Sequence, residues 1–341
     1  MGGVPHSHRG DHRRDRRRQH RLRRQRQHRC RCRRGQGREV TGGTAAEPSG
    51  LRGTYLTCPE GRLHVYSAGD RGSPVLLLSG AGIDNALLSW RHLIPALSPR
   101  HRVLALDWPK QGRSRPWDGR ATHERLLAAI TQVLDHFDLP SAALVGLSQG
   151  GALALAYAIE HPSRVDRIAA LAPAGILSFP PVVHQALWLV AKLPLLSRTL
   201  PSTMFRSRES VARFARRALF AGPVDDFDDV VDEIMAEVRV AGAGSSDWQN
   251  ASIGPLRMRV DLRPRLGEVI CPALLVQGDK DAGVNAARTR AAAALVPGSR
   301  FVLLEGVGHW SSRQVPDRVN PLIGAFLGEG QGTMDAGDPL G

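Results

Sequence analysis

The sequence is poor in cysteine and has no uninterrupted apolar run long enough to cross a membrane. Four cysteines in 341 residues do not make a disulfide scaffold. Cys30 and Cys32 lie in a polar N-terminal stretch, and Cys58 and Cys271 stand far apart beside expected strands. No Cys/His cluster outside that stretch has metal-ligand spacing, so no metal is expected. No glycine-rich loop fits a phosphate or dinucleotide pattern, so no cofactor is expected. The apolar run that includes Leu187, Trp188, Leu189, Val190, Leu193, Leu195 and Leu196 is short and broken by Lys192 and Pro194. It is therefore no membrane span. The N-terminus lacks the apolar core of a signal peptide, and a cytoplasmic location is expected.

Charge is unevenly placed. The formal net charge is +14, and residues 1–39 supply +12 of it, with 15 arginines against Asp11, Asp15 and Glu39. The remainder is nearly neutral. A stretch so poor in apolar residues cannot bury enough surface to fold alone, so residues 1–50 are expected to be a disordered tail, as are residues 330–341. Arginine runs can contact nucleic-acid phosphates. The plainer reading, an extension without function, carries more weight, and nucleic acid is not the expected partner.

Between the tails, apolar runs alternate with amphipathic segments, which argues for a mostly parallel sheet covered on both faces. Residues 53–58 and 62–67 read as two leading antiparallel strands. Strand 75–79 precedes a helix near 86–97, and strand 102–107 precedes a helix over 121–138. In the latter Leu126, Leu127, Ile130, Val133, Leu134 and Phe137 share one face. Strands follow at 142–145, 167–171, 273–276 and 301–304. The alternation breaks between about 175 and 265, which reads as helices at 181–199, 207–220 and 225–240. The expected domain plan is a core of residues 51–174 and 266–329 with a helical cap, 175–265, inserted over the C-terminal edge of the sheet. Open α/β sheets bind ligands at that edge. Trp188 and Trp310 are candidate wall residues of an apolar pocket.

Gly146-Leu147-Ser148-Gln149-Gly150-Gly151 follows the run Ala142-Ala143-Leu144-Val145. It reads as a strand turning sharply into a helix with a serine at the apex. A side chain at 146 or 150 would collide across so tight a turn. The serine is exposed beside free helix N–H groups, as a nucleophile requires. Later strand ends carry Asp279 and Asp281, then His309, which comes 28 residues after Asp281. The order serine, acid, histidine suits a nucleophile whose proton passes to an imidazole oriented by a carboxylate. Asp281 is the preferred acid and Asp279 the competitor, since Asp279 is nearer the strand end and could serve the turn. The small residues of Ser79-Gly80-Ala81-Gly82 let backbone N–H groups face inward. The N–H groups of Ala81 and Gln149 are then the candidate oxyanion donors.

Together these segments resemble the α/β-hydrolase family from about Gly53 to Leu327. The resemblance rests on Ser79-Gly80-Ala81-Gly82, Asp107-Trp108-Pro109-Lys110-Gln111-Gly112-Arg113-Ser114, the elbow around Ser148, Gly278-Asp279-Lys280-Asp281 and Gly308-His309. It implies an α/β-hydrolase fold with Ser148 as nucleophile, Asp281 as acid, His309 as base, and Ala81 and Gln149 as oxyanion donors. Two positions depart from the family: Ser79 stands where histidine is common, and Lys110 where glycine is common. Serine at 148 disfavours relatives that use a carboxylate nucleophile on haloalkanes or epoxides. The expected activity is cofactor-independent hydrolysis of a small, largely apolar ester or related acyl compound. Carbon–carbon bond hydrolysis, lactone opening and perhydrolysis are alternatives on the same groups. A non-enzymatic ligand or nucleic-acid binder is the alternative from another class. Oligomeric state is left open.

Overall fold

The computed structural model describes residues 50–193, 205–241 and 247–329. The arginine-rich tail, residues 330–341 and the part of the expected 181–199 helix beyond Leu193 lie outside the described residues.

Eight strands form one sheet in the order β1-β2-β4-β3-β5-β6-β7-β8. They are β1 (Arg52–Cys58), β2 (Gly61–Ala68), β3 (Pro74–Leu78), β4 (Arg102–Asp107), β5 (Ala142–Leu147), β6 (Val165–Leu171), β7 (Ala273–Gly278) and β8 (Arg300–Leu304). β2 pairs antiparallel with both β1 and β4, and every pairing from β4 to β8 is parallel. All six residues of β5 and of β7 are buried, as continuous apolar strands in a doubly covered sheet must be.

Successive side chains go to opposite faces of the sheet. Leu76, Leu78 and Leu144 join one apolar cluster, and Val75, Leu77, Ala143 and Val145 join the other. The first cluster takes in α3 (His123–His136) and α4 (Gln149–Glu160). Thr122 caps α3, and its buried residues include Leu126, Leu127, Ile130, Val133 and Leu134, the face expected from the sequence. The second cluster takes in α1 (Ala86–Trp90), α2 (Leu93–Leu97) and α11 (Pro316–Gly328), and the polar turn α10 (Ser311–Gln314) lies between Trp310 and Val315, which join that cluster. The single helix expected near 86–97 is thus two short ones. Pro95 lacks an N–H and its ring would strike the carbonyl of Arg91, so one straight helix cannot run through the segment. After β7, α9 (Ala286–Ala293) leads on to β8.

The insertion between β6 and β7 is helical, as expected. It holds α5 (Pro181–Lys192), α6 (Arg208–Phe214), a π turn over Ala215–Leu219, α7 (Phe227–Ala241) and α8 (Asp247–Ser252). Among its described residues the only β contact is an isolated bridge between Ile253 and Met258. No helix among the described residues is long and apolar enough to cross a membrane.

β4 lies on one side of β3 and β5 on the other, so the chain reverses its direction across the sheet at β3. Ligands of open α/β sheets sit at the C-terminal strand ends beside such a reversal. Ser79–Gly82 follow β3 and Ser148 follows β5, so the fold brings both segments to that place.

Candidate active site

Ser148 joins β5 to α4 with φ 52° and ψ −111°. This is a strained conformation for a residue with a Cβ, and it persists only where the surroundings over-determine it. Here they do. The Ser148 N–H donates to the Leu171 carbonyl at 2.9 Å, and the Ser148 carbonyl accepts from the N–H groups of Ala152 and Ala174. The turn closes as tightly as the glycines imply. A Cβ on Gly146 would lie 2.3 Å from the Gly150 carbonyl, and one on Gly150 would lie 2.0 Å from the Leu78 oxygen. The absence of side chains there lets α4 begin against the end of β3, with the Ser148 side chain half exposed at its N-terminus.

At the ends of β7 and β8 the structure separates the two candidate acids. Asp279 accepts from the N–H groups of Gly306 and Val307 and pairs with Lys280, so it ties the two loops together. Asp281 reaches His309 instead, with Oδ2 at 2.7 Å from Nδ1. Its side chain is fully buried. Gln277 Nε2 donates to Oδ2, and the N–H groups of Gly283 and Val284 donate to Oδ1. Burial alone would raise the Asp281 carboxyl. The bond and charge of His309, with the Val284 and Gln277 donors, outweigh it and hold the group below the usual carboxylate range. Asp281 is therefore an anion that fixes one imidazole nitrogen and leaves Nε2 for a substrate or nucleophile. Among the described residues no hydrogen bond joins His309 to Ser148. Catalytic hydrogen bonds of this kind often tighten only when substrate is bound.

The loop after β3 lies against the elbow. A methyl group on Gly80 would sit 3.7 Å from the Ser148 Cβ. The Ala81 N–H, on this loop, donates to no protein acceptor among the described residues. Gln149 is the first residue of α4, so its N–H belongs to the positive end of the helix dipole. Serine at 79 is fully buried, and its carbonyl accepts from the Trp108 indole at 2.9 Å. Lys110 has φ 72°, a conformation that favours glycine. Its side chain reaches the cap, where Nζ pairs with Asp247 of α8 at 2.7 Å.

Of the two candidate wall residues, Trp188 is half-buried on α5, and its indole N–H is buried with no partner among the described residues. Trp310 is 3% exposed and packs edge-on to Phe220 at 6.1 Å between ring centres. Its backbone N–H donates to the Leu219 carbonyl, so the π turn of the cap grips the segment that carries His309. Among the described residues no group of His, Cys, Asp and Glu is arranged to hold a metal ion.

Sequence reasoning missed two buried residues beside the loop after β3. Asp84 accepts from the Gly80 N–H at 2.6 Å, and Gln111 donates to the Gly80 and Gly82 carbonyls. The available signal was a carboxylate four positions after a strand-end glycine, in a segment too apolar to leave it solvated.

The chain is similar to known proteins. The family described as alpha/beta hydrolase fold matches residues 73–313. The dihydrolipoyllysine-residue acetyltransferase component of the acetoin cleaving system of Pseudomonas putida is 30% identical over 262 residues, 76% of this chain and 64% of that protein. This chain thus spans less than two thirds of that relative's length. A 2-hydroxy-6-oxononadienedioate/2-hydroxy-6-oxononatrienedioate hydrolase of Klebsiella pneumoniae is 25% identical over 290 residues, 80% of this chain and 94% of that protein. Among solved structures, carboxylesterase CesB from Bacillus subtilis superposes with a TM-score of 0.64 at 24% identity, covering 82% of this chain and 93% of that one. At that identity the likeness is one of fold. The family match runs unbroken from the strand before the Ser79–Gly82 loop to beyond His309, and on that extent the chain belongs to the α/β-hydrolase fold family of enzymes.

Proposed function

We propose that this chain is a serine hydrolase that attacks the carbonyl of a small, largely apolar substrate, with Ser148 as nucleophile, His309 as general base and Asp281 as the orienting acid. The observation that carries this is the 2.7 Å bond from the buried Asp281 carboxylate to His309, on the sheet edge that also holds the strained Ser148. His309 takes the serine proton as Oγ adds to the carbonyl carbon. The N–H groups of Ala81 and Gln149 receive the negative charge that develops on the carbonyl oxygen. Collapse of the tetrahedral adduct breaks a bond on the far side of the carbonyl and leaves an acyl group on Ser148. Water, activated by His309, then releases it.

Which bond breaks depends on what can leave. Of the two chemistries, hydrolysis of a carbon–carbon bond in an oxo acid is better supported than hydrolysis of a simple ester. Several relatives are named for 2-hydroxy-6-oxo acids or for 2-hydroxymuconate semialdehyde. In that reaction the bonding pair passes to a carbon whose charge a conjugated oxo group delocalises, and that carbon then takes up a proton. Ester hydrolysis is the second reading, because a carboxylesterase of Bacillus subtilis is 26% identical over 80% of this chain.

A substrate panel tests both. Purified protein is assayed against a 2-hydroxy-6-oxodienoate, followed by loss of its absorbance, and against p-nitrophenyl esters of rising chain length. A kcat/KM for the oxo acid well above that for every ester supports the first reading, and the reverse order supports the second. Turnover that survives Ser148→Ala contradicts both.

A further inference from the structure

The peptide groups after β3 are held from several sides, and each restraint has an identifiable donor and acceptor. In the Ser79–Gly80 peptide the carbonyl accepts from the Trp108 indole, and the N–H donates to Asp84 Oδ2 at 2.6 Å. In the Gly80–Ala81 peptide the carbonyl accepts from Gln111 Nε2 at 3.2 Å. A trans peptide is planar, with its N–H pointing away from its C=O. Fixing the Gly80 carbonyl therefore fixes the direction of the Ala81 N–H. Gln111 also holds the Gly82 carbonyl at 3.3 Å, on the other side of Ala81.

Both side chains are buried at this contact. Asp84 is 1% exposed and Gln111 is 5% exposed. Asp84 Oδ2 also accepts from the Ser89 hydroxyl at 2.6 Å, and Oδ1 accepts from the Asn85 N–H at 2.8 Å. Burying a carboxylate is costly unless it is well bonded. Burial pushes the Asp84 carboxyl up to about 7, although the bonds from Ser89, Gly80 and Asn85 pull the other way and the Glu237 charge adds to the rise. Glu237 belongs to α7, accepts from the Asn85 amide and pairs with Arg115. The restraint on the loop thus extends into the cap.

We propose that Asp84 and Gln111 are positioning residues that aim the Ala81 N–H at the oxyanion formed on attack by Ser148. This rests on the serine-hydrolase reading above. Neither side chain has to touch the substrate. Gln111 acts on the Gly80 carbonyl, in the same peptide as the Ala81 N–H, and Asp84 acts one peptide earlier, on the Gly80 N–H, where it anchors the start of the loop. A donor preorganised in this way stabilises the transition state more than the ground state, so its loss falls on kcat.

The test compares wild type, Asp84→Asn, Gln111→Leu and Ser148→Ala with p-nitrophenyl butyrate and the 2-hydroxy-6-oxodienoate, using whichever turns over. Asp84→Asn and Gln111→Leu should each lower kcat about 10- to 100-fold while KM stays within about threefold. Binding of a trifluoromethyl ketone, which becomes a tetrahedral oxyanion on serine, should weaken by a similar factor, and the thermal midpoint of Gln111→Leu should stay within a few degrees. A kcat equal to wild type in both variants overturns the proposal. So does a loss confined to KM or to thermal stability. If Asp84→Asn does not fold, Gln111→Leu keeps the carboxylate and decides the matter alone. The two levels of inference fail differently. Ser148→Ala inactive with both positioning variants at wild-type rate removes only the positioning role. Wild-type enzyme that resists a fluorophosphonate, together with active Ser148→Ala, removes the hydrolase reading and the positioning role with it.

Discussion

Ser148 spends backbone strain of about 1–3 kcal/mol to stand at the elbow, and alanine in its place would meet the same strain. Ser148→Ala should therefore change stability by less than about 1 kcal/mol and reduce turnover by about a thousandfold or more. Chemical unfolding and steady-state kinetics on the same preparation check both halves. The neighbouring acids should divide in the opposite sense. Asp281→Asn replaces the carboxylate that fixes the His309 tautomer and should lower kcat by about three to four orders of magnitude. Asp279→Asn weakens the tie to the Gly306 and Val307 N–H groups and the pair with Lys280, and should lower stability slightly with kcat within a few-fold. A larger kcat loss at 279 than at 281 would reverse the assignment. The elbow, the histidine and the pair of candidate acids were legible in the sequence because each ends an apolar run. The choice between Asp279 and Asp281 favours the preferred residue on geometry the sequence does not carry. The two lie in one short loop, and only the path of the chain after β8 sets which one meets the imidazole. Asp84 was not legible for a related reason. In sequence it looks like a residue preparing the Asn85 cap of α1, and its contacts with the Gly80 N–H and the Ser89 hydroxyl arise only when the loop after β3 folds back on α1.

At the scale of elements, the cap was legible as helices and its attachment was not. α7 was expected over 225–240 and runs over Phe227–Ala241. Glu233 and Glu237 fall one turn apart, hence on one face, and that face meets basic groups from distant parts of the core. Glu233 pairs with Arg91 and Arg313, and Glu237 pairs with Arg115. Asp226, just before the helix, pairs with His92 and Arg313. The Arg313 side chain is fully buried, and it also donates to the Leu88 carbonyl. Removing both of its acids, by Asp226→Asn with Glu233→Gln, should cost about 3–5 kcal/mol in denaturant unfolding, because an unpaired buried cation remains. Arg313→Met should cost less, since Arg91 and His92 still pair with the two acids. Equal losses would show that packing rather than charge holds the cap. Among the described residues α5 carries no such clamp of ion pairs, and Val182, Val183, Leu189 and Val190 on it are exposed. Trp188, half-buried on that helix, is the candidate for substrate fit. If it walls the pocket, Trp188→Ala should shift the preferred ester chain length by several-fold to a hundredfold, mainly through KM. A profile that falls in parallel at all lengths would make Trp188 a packing residue.

For the whole molecule, the order of strands and helices followed from alternating apolar runs, and the charge summary hid two different regions. The near-neutral part of the chain, outside residues 1–39, folds around several buried carboxylates, so its stability should depend on pH through individual groups rather than through net charge. Asp281 and Asp84 act with opposite sign. The folded state holds the Asp281 carboxyl below its ordinary value of 3.8. That contribution is complete above the unfolded value and is lost as pH falls through the folded one. The folded state raises Asp84 from 3.8 to about 7. Between those values the folded protein binds a proton that the unfolded chain has released, so this term makes stability fall as pH rises from about 4 to about 7. Above 7 the carboxylate is ionised in both states and the penalty stays constant. Asp84→Asn never ionises. Its thermal midpoint relative to wild type should rise steadily between pH 4 and pH 7 and level off above that, even as the same substitution lowers kcat. A midpoint difference that stays flat across the range would mean that Asp84 does not titrate there. The polar contacts of its pocket, rather than the cost of burying its charge, would then set the energetics of the loop after β3.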